Sequence, residues 1–474
     1  MSDSTADDGL FLGATRSLDM GPAARLVMPP HHLTTHGVIL GMTGSGKTGL
    51  VTVLIEEALR SSVPVLVIDV KGDLPNLLLT FADFQPSSLR PWVELGPRDR
   101  GPSALDALAS QLAEERRAGL AAWAITEREI ADYTSRACVR VITPGADAGE
   151  LLHVLSSLER RSDRWDVDAE GARAALSAAI SLILRLLARD ADPARSREHV
   201  LLSVLAERRL VARQSADIAS LLPEILSPPV ESIGALPIDE FLSKKARKEL
   251  AAALNSLLAS PTFASWRQGA TLDVGEWMKP VDIEARTKTP VTILSVAHLD
   301  DAERELVLGV VLEEVLTWVR GLPGSQQLKA LVVFDEVFGF LPPHPANPST
   351  KRPLVALMKQ ARAFGVGVVI ATQNPMDLDY RALSNAGVWC LGRLQTDADR
   401  ARVLDGLVGN AGEEAAQLGA VLKRLAPRWF LLRDVHSRAG TVFLQPRWAM
   451  TFLRGPMTRQ EIRRARGVLP RTAA

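Results

Sequence analysis

The sequence predicts an α/β protein with a mainly parallel central sheet and an all-helical insertion. Three observations support this fold class. In the first third of the chain, short apolar segments of strand length alternate with segments of helical apolar spacing. The same alternation returns after residue 286. Between these two parts the chain is rich in Ala, Leu, Arg and Glu and has few β-branched runs, which favours helices.

This pattern divides the chain into five segments. The outer two lack the α/β alternation, the second and fourth carry it, and the third is the predicted insertion. The segments are an N-terminal lead-in with little core (1–30), the first part of the core (31–159), the helical insertion (160–285), the second part of the core (286–455) and a basic C-terminal tail (456–474).

The first part of the core begins with a short apolar strand, followed by a helix and a second strand, which is the order typical of a parallel sheet. The second strand runs into Asp69, Lys71 and Asp73. Ligands of open parallel sheets bind at such carboxyl ends of strands. The predicted elements are strands at 37–40, 63–70 and 139–143 and helical segments at 47–60 and 104–135.

The same apolar spacing predicts the elements of the two later segments. In the insertion we expect helices at 167–188, 198–212, 214–226 and 238–259. In the second part of the core we expect strands at 290–297, 331–334, 366–371, 388–391 and twice within 427–445, and helices at 300–320 and 352–364.

Composition is that of a globular protein with a sizeable core. The chain has 474 residues, of which 47% are hydrophobic and 23% charged. Its net charge is zero, so the molecule as a whole does not attract nucleic acid, although a local basic patch is compatible with that balance. Two cysteines, Cys138 and Cys390, exclude a disulfide framework and belong to no metal-spaced cluster.

No segment is predicted to insert into a membrane. The longest uncharged apolar run, 174–184, is too short to span a bilayer. The N-terminus is acidic and polar, and it lacks the basic start and apolar run of a signal peptide. We therefore expect a cytoplasmic protein.

Residues 41–48 read GMTGSGKT, the pattern Gly-x4-Gly-Lys-Thr of a phosphate-binding loop. Its glycines let backbone N–H groups point at a triphosphate, and the following helix directs its positive dipole end at the same anion. Lys47 is expected to reach the β- and γ-phosphates, and Thr48 to offer its hydroxyl to Mg2+. A flexible Gly/Ser turn is the alternative, and the flanking strand and helix argue against it. The predicted nucleotide-binding residues are Gly41, Met42, Thr43, Gly44, Ser45, Gly46, Lys47, Thr48 and Gly49.

A second set of residues would complete a hydrolytic site. The run LVVFDE at 331–336 delivers two carboxylates at the end of an apolar strand. Asp335 is predicted to hold Mg2+, and Glu336 to act as general base on the attacking water. Gln373 follows a further strand and is predicted to sense the γ-phosphate, a turn-forming Gln-Asn-Pro being the alternative.

Four basic residues are candidates for further phosphate contacts, two with the nucleotide and two with nucleic acid. Arg362 and Arg393 are candidates for stabilising charge on the γ-phosphate, in their own subunit or in a neighbouring one, and ordinary surface pairing is the alternative for each. The proline-rich loop 338–352 ends in Lys351 and Arg352, which in a ring would contact the phosphates of a threaded strand. A plain surface loop is the alternative for this segment.

Taken together, these motifs resemble the bacterial HerA-like ATPases of the HerA–FtsK superfamily. The resemblance covers nearly the whole chain. It is carried by segments 33–50, 67–74, 331–343 (LVVFDEVFGFLPP), 359–380 (KQARAFGVGVVIATQNPMDLDY), 389–404 and 447–460.

The resemblance implies a RecA-like P-loop domain that binds ATP and Mg2+, forms a homohexameric ring and translocates on double-stranded DNA. It carries the roles given above onto Lys47, Thr48, Asp335, Glu336 and Gln373, and the arginine-finger role onto Arg362 or Arg393. A nuclease is an expected partner. Only about 30 residues precede the first predicted strand, so we expect the small N-terminal β-barrel of archaeal HerA proteins to be missing.

Three functions are compatible with the sequence. The leading one is an ATP-driven DNA translocase or helicase-like protein. The second is an ATPase that energises conjugative or secretion-type transfer of macromolecules. The third is a nucleotide-gated scaffold with little turnover, and the presence of Glu336 argues against it because a scaffold needs no catalytic base.

Overall fold

The computed structural model describes residues 9–95, 101–283, 285–375, 378–408 and 412–467. Within these ranges, twelve strands form one large sheet, and two further pairs of short strands lie outside it. The strands are β1 (Leu10–Arg16), β2 (Ala24–Met28), β3 (Gly37–Leu40), β4 (Val65–Asp69), β5 (Ala137–Ile142), β6 (Leu152–His153), β7 (Ser232–Ile233), β8 (Leu236–Pro237), β9 (Ala270–Thr271), β10 (Val281–Ile283), β11 (Arg286–Ser295), β12 (Ser325–Asp335), β13 (Phe364–Thr372), β14 (Val388–Leu391), β15 (Phe430–Asp434) and β16 (Thr441–Pro446).

Helices connect these strands and fill the segment between β5 and β10. The α-helices are α1 (Lys47–Arg60), α2 (Pro86–Leu89), α3 (Pro102–Ala121), α4 (Glu127–Arg136), α5 (Ser156–Glu159), α6 (Arg164–Val167), α7 (Ala169–Leu186), α8 (Arg197–Val211), α9 (Ile218–Leu226), α10 (Ile238–Phe241), α11 (Lys244–Ala259), α12 (Pro261–Ser265), α13 (Val274–Trp277), α14 (Asp301–Arg320), α15 (Lys351–Gln360), α16 (Tyr380–Leu383), α17 (Asp397–Val408), α18 (Gly412–Arg424) and α19 (Arg459–Ala465). Short 3-10 helices cover Pro30–Thr35, Leu74–Leu78, Arg90–Trp92 and Ala361–Ala363.

The centre of the large sheet is parallel. Its neighbouring strands run in the order β5, β11, β4, β12, β13, β3 and β14, and every adjacent pair in this series is parallel. Beyond β14 the strands β15, β16, β1 and β2 continue the sheet in antiparallel fashion, and β10 pairs antiparallel with the start of β11. The predicted fold class, an α/β protein with a mainly parallel central sheet, is confirmed.

Both faces of the parallel strands are covered, as the continuous apolar runs in their sequences require. Successive side chains of a strand point to opposite faces. In β4, Leu66 and Ile68 join the core shared with α7, α14 and α15, whereas Val65 and Val67 join the core shared with α1 and α4. The sheet therefore separates two apolar layers, one on each face.

The N-terminal region corrects the prediction of a lead-in with little core at 1–30. Residues 10–16 and 24–28 form β1 and β2, and Leu10, Phe11 and Leu12 are buried. β1 pairs with β16 from the opposite end of the chain. A local sequence pattern does not reveal such a long-range pairing, which explains the error. Residues 1–8 lie outside the described part of the chain.

The helical segment agrees with its predicted character. Between β5 and β10 most residues lie in α5 to α13, and the strands in that segment are two residues long. α7 packs along α14, so this segment contacts the helix layer of the sheet. No helix within the described residues has the length and apolar character needed to cross a membrane.

Residues 459–465 of the C-terminal tail form α19, which contacts the core. α19 begins at a capping box formed by Thr458 and Glu461. The Arg464 guanidinium lies 5.6 Å from the centre of the Trp92 ring, and Arg463 is ion-paired with Asp147. Residues 468–474, part of the predicted basic tail, lie outside the described ranges.

A buried ion cluster joins α1 to the C-terminal segment. The Arg447 side chain is fully buried, and its guanidinium lies 2.9 Å from a carboxylate oxygen of Glu56 and 2.8 Å from one of Glu57. Glu56 also accepts hydrogen bonds from the backbone N–H groups of Met450 and Thr451, and Glu57 accepts one from Phe11. Removing one partner of such a cluster leaves buried charge without compensation.

We therefore expect Arg447→Met to destabilise the protein by about 3–5 kcal/mol, because buried Glu56 loses its ion-pair partner and buried Glu57 keeps only its pair with Arg60. Equilibrium urea unfolding, followed by circular dichroism, measures this loss. Arg195→Met is the matched control, since the Arg195 side chain is 85% exposed and its pair with Asp192 is 3.9 Å long. Equal unfolding midpoints for the two variants would contradict a stabilising role for the cluster.

Candidate functional site

The carboxyl ends of four adjacent parallel strands bring the predicted site residues to one edge of the sheet. The strand order is β4, β12, β13, β3. Across neighbouring strands, Asp69 is in register with Asp335, Asp335 with Ala371, and Thr372 with Leu40. The loop after β3 and the residues after β12 and β13 therefore emerge side by side.

The loop between β3 and α1 is clamped to the ends of two strands. The N–H of Gly41 donates to the carbonyl of Thr372 (3.3 Å), and the N–H of Met42 donates to the carbonyl of Arg393 (2.9 Å). Gly44 and Gly46 have φ angles of 78° and 96°, which favour glycine. A Cβ at Gly44 would meet no atom within 4 Å, so the loop is open to a ligand there.

The loop residues fit a bound phosphate. α1 begins at Lys47, and no side chain caps its N-terminus in the described structure, so its first N–H groups are available to an anion. The Lys47 ammonium is buried and donates to the carbonyl of Gly41. Thr48 and Gly49 occupy the next two positions of the helix.

The pKa of Lys47 is lowered overall, mainly by burial. Lys71 also lowers this pKa, whereas the negative charges of Glu336 and Asp335 raise it. The loop lysine therefore interacts electrostatically with Glu336, the predicted base, and with Asp335, the predicted metal ligand, both nearly 300 positions later in the chain.

Glu336 is held by three groups. Its backbone has a φ of 61°, a left-handed conformation that is uncommon for a non-glycine residue and concentrates at functional sites. One carboxylate oxygen accepts from the Thr372 hydroxyl (2.9 Å) and the Gln373 N–H (3.3 Å). The other lies 2.6 Å from the Lys71 ammonium.

Gln373 connects the phosphate loop to the acidic pair. Its side-chain oxygen accepts a hydrogen bond of 2.6 Å from the Thr43 hydroxyl in the loop. Its backbone N–H donates to Glu336. A continuous path of hydrogen bonds thus runs from Thr43 through Gln373 to Glu336.

The Asp335 carboxylate fits a divalent cation. It is 4% exposed, and among the residues that the structure describes it makes no hydrogen bond or ion pair. Burial, and then the charges of Asp69 and Glu336, raise the pKa of Asp335 to about 7. A cation would compensate this negative environment. No group of three His, Cys, Asp or Glu side chains in the described ranges could hold a metal alone. Any Mg2+ here would therefore also need Thr48 and phosphate oxygens.

Two residues of the site come from the last position of β4 and from the turn that follows it. Asp69 is fully buried and accepts hydrogen bonds from the Gly72 N–H (2.9 Å) and the Ser295 hydroxyl (3.0 Å), and burial raises its pKa to about 6. Lys71 pairs with Glu336. The sequence placed both at a strand end, but the contact of Lys71 with Glu336 has no local signal.

The two candidate arginines lie at opposite ends of the parallel strands, Arg393 after the carboxyl end of β14 and Arg362 before the amino end of β13. Arg393 is exposed next to the phosphate loop, since its carbonyl binds the N–H of Met42. Arg362 precedes β13 and lies near His36 and His436. The nine residues of β13 separate it from the site by roughly 30 Å. Arg362 therefore does not reach the loop of its own chain.

The predicted nucleic-acid contacts are both engaged within the chain. The Lys351 ammonium lies 3.2 Å from Asp379, and its side chain is only 13% exposed. Arg352 pairs with Glu313 at 3.0 Å but is 79% exposed. Of the two, Arg352 alone is accessible to an external phosphate without rearrangement.

Comparisons with known proteins agree with this geometry. Residues 26–136, which contain the phosphate loop and β4, match the family model described as the central domain of the helicase HerA. No curated protein matches the chain. VirB4 of Thermoanaerobacter pseudethanolicus is similar in structure, with 14% identity, a TM-score of 0.50 and coverage of 94% of this chain and 97% of that one.

A second solved structure, the plasmid coupling protein TrwB in complex with ADP and Mg2+, has 14% identity and a TM-score of 0.49, with 94% of this chain and 96% of that chain covered. At these identities the likeness to VirB4 shows the fold alone. The predicted resemblance is confirmed over residues 26–136, which match the HerA central-domain model, and the chain has an α/β fold similar to that of VirB4.

Proposed function

We propose that this chain is a Mg2+-dependent ATPase that translocates double-stranded DNA as a hexameric ring. The observation that carries the ATPase part is the hydrogen-bonded path from Thr43 through Gln373 to Glu336. It places a carboxylate next to a loop whose N–H groups and lysine suit a triphosphate.

In this proposal each residue has one task. The loop N–H groups and Lys47 bind the phosphates, and Thr48 and Asp335 would hold Mg2+, which would offset the negative charge of the phosphates. Glu336 orients the attacking water and accepts its proton. Gln373 links the state of the loop to Glu336, because it is hydrogen-bonded to both.

An arginine near the γ-phosphate would stabilise the charge of the transition state. We assign this role to Arg393 within its own chain, since it lies beside the phosphate loop. Arg362 would serve the site of a neighbouring chain in a ring.

Translocation on DNA is the second, more specific part of the proposal. It is supported by the description of the matched family, which names a helicase. Arg352 is the proposed phosphate contact, because its guanidinium is exposed.

We also propose that the two core parts, 31–159 and 286–455, enclose the helical segment 160–285 as an insertion.

An ATPase for conjugative or secretion-type transfer is the second candidate function, since the same hydrolytic site would serve it.

We expect Glu336→Gln to lower the rate of ATP hydrolysis at least about 100-fold, because the amide cannot accept the proton of water. ATP binding should remain, since Lys47 and the loop are unchanged. Steady-state turnover and calorimetric ATP binding measure the two effects. Glu276→Gln is the matched control, because Glu276 is 61% exposed on α13. Wild-type turnover in Glu336→Gln would show that this residue is not the base.

Duplex DNA should raise ATP turnover several-fold, and sizing with ATP bound should give a particle of six chains. Arg352→Ala should reduce the stimulation and its dependence on salt, because one phosphate contact is lost. Arg195→Ala, at an exposed arginine of the helical segment, is the control. A monomer whose ATP turnover is unchanged by duplex DNA would refute translocation and leave the transfer ATPase as the better proposal.

A further inference from the structure

Both carboxylate oxygens of Glu336, the proposed base, are engaged by other groups of the chain. The side chain is buried. One oxygen accepts hydrogen bonds from the Thr372 hydroxyl (2.9 Å) and the Gln373 N–H (3.3 Å), and the other lies 2.6 Å from the Lys71 ammonium. A general base needs an oxygen within hydrogen-bond reach of its water. This arrangement therefore closes the proposed base toward water.

The oxygen beside Lys71 is the one that base chemistry would use. It is buried, and among the residues that the structure describes it accepts no hydrogen bond of normal geometry, so the ammonium holds it by charge. Its lone pairs remain free to accept a proton. In hydrolysis, this oxygen would take a proton from water while the water oxygen bonds to the γ-phosphorus and the bond from that phosphorus to the β–γ bridging oxygen breaks. The ammonium has to leave before this step.

The turn that carries Lys71 is fixed, whereas its side chain is not. The N–H of Gly72 donates to the buried Asp69 carboxylate (2.9 Å), and the carbonyl of Gly72 accepts from the N–H of Met457 (2.9 Å). The Lys71 side chain is 37% exposed, and its four-carbon stem is flexible. The ammonium can therefore move away from Glu336 without a change in the backbone.

A second carboxylate on the same turn lies within the electrostatic range of this ammonium. Burial raises the pKa of Asp73, and the charge of Lys71 lowers it. Within the described part of the chain, the Asp73 carboxylate makes no hydrogen bond or ion pair of its own. Asp73 and Glu336 thus compete for one ammonium, and Asp73 stabilises it in a position away from the base.

We propose that Lys71 is a positioning residue for hydrolysis, which keeps the Glu336 carboxylate in a closed position until their ion pair opens. The inference rests on the proposed function, because it concerns the base of the same reaction. Lys71 acts through Glu336 and needs no contact with the substrate. Opening of the pair then limits part of the rate of ATP turnover.

Lys71→Met removes the ammonium and keeps an unbranched, flexible side chain. The kcat for ATP without DNA should rise at least about threefold, because the base no longer has to leave an ion pair. The KM for ATP should stay within about twofold, since the phosphates are bound by the loop. Lys279→Met is the matched control and should change neither constant, because Lys279 is 65% exposed and pairs with Glu276. An unchanged or lower kcat in Lys71→Met would overturn the proposal.

A double variant shows whether Lys71 acts through the base. Lys71→Met combined with Glu336→Gln should hydrolyse ATP no faster than Glu336→Gln alone, because the gain depends on a free carboxylate. A gain of turnover from Lys71→Met in the Glu336→Gln background would assign the effect of Lys71 to another group and contradict the proposal.

Unfolding of the full chain by urea, without nucleotide, tests the ion pair itself. The wild type, the two single variants and the double variant form a cycle. Because the two side chains contact each other, the double variant should be more stable than the sum of the two single changes predicts. Additive changes in the unfolding midpoint would show that the pair does not form.

The results separate this inference from the proposed function. Wild-type turnover in Glu336→Gln would overturn the assignment of the base, and the role of Lys71 with it. Loss of turnover in Glu336→Gln without a gain in Lys71→Met would overturn the role of Lys71 alone and leave Glu336 as the base.

Discussion

The site depends on one constraint, which is that four adjacent parallel strands end at the same edge of the sheet. Strand order β4, β12, β13, β3 sets Asp69 beside Asp335 and sets the end of β13 beside the phosphate loop. A shift of one residue in such a strand would exchange the side chains that pack into the two apolar layers, so close packing on both faces opposes it. The positions of the chemical groups therefore follow from the packing of the sheet on both sides.

Two interactions stabilise the site, one between neighbouring strand ends and one between α1 and the C-terminal segment. The first is the ion pair of Lys71 with Glu336, which joins the end of β4 to the end of β12. The second is the buried cluster of Arg447, which joins α1 to the segment after β16. Through the second, the helix that begins at Lys47 is joined to the segment that follows β16 by buried ion pairs.

Local signals in the sequence predicted the elements around the loop well. The bounds of β3, α1 and β14 are those predicted, because an apolar strand, a glycine loop and an amphipathic helix each have a short-range pattern. The joint position of Asp335, Glu336 and Gln373 was predictable as well, since strand ends of a parallel sheet share an edge.

Other features had no local signal. β1 pairs with β16 across more than 400 residues of chain, and Arg447 finds its partners about 390 positions away. The left-handed φ of Glu336 and the pairing of Lys351 with Asp379 depend on neighbours that only the folded chain provides.

The central claim is that the phosphate loop and the acidic pair form a single site around one metal ion. Electron paramagnetic resonance of Mn2+, as a substitute for Mg2+, tests it most directly when ATP is present. The account predicts that Asp335→Asn weakens ATP-dependent Mn2+ binding at least about tenfold relative to the wild-type chain, because the only buried protein carboxylate proposed as a ligand is lost. Equal Mn2+ affinity in the two proteins would contradict it.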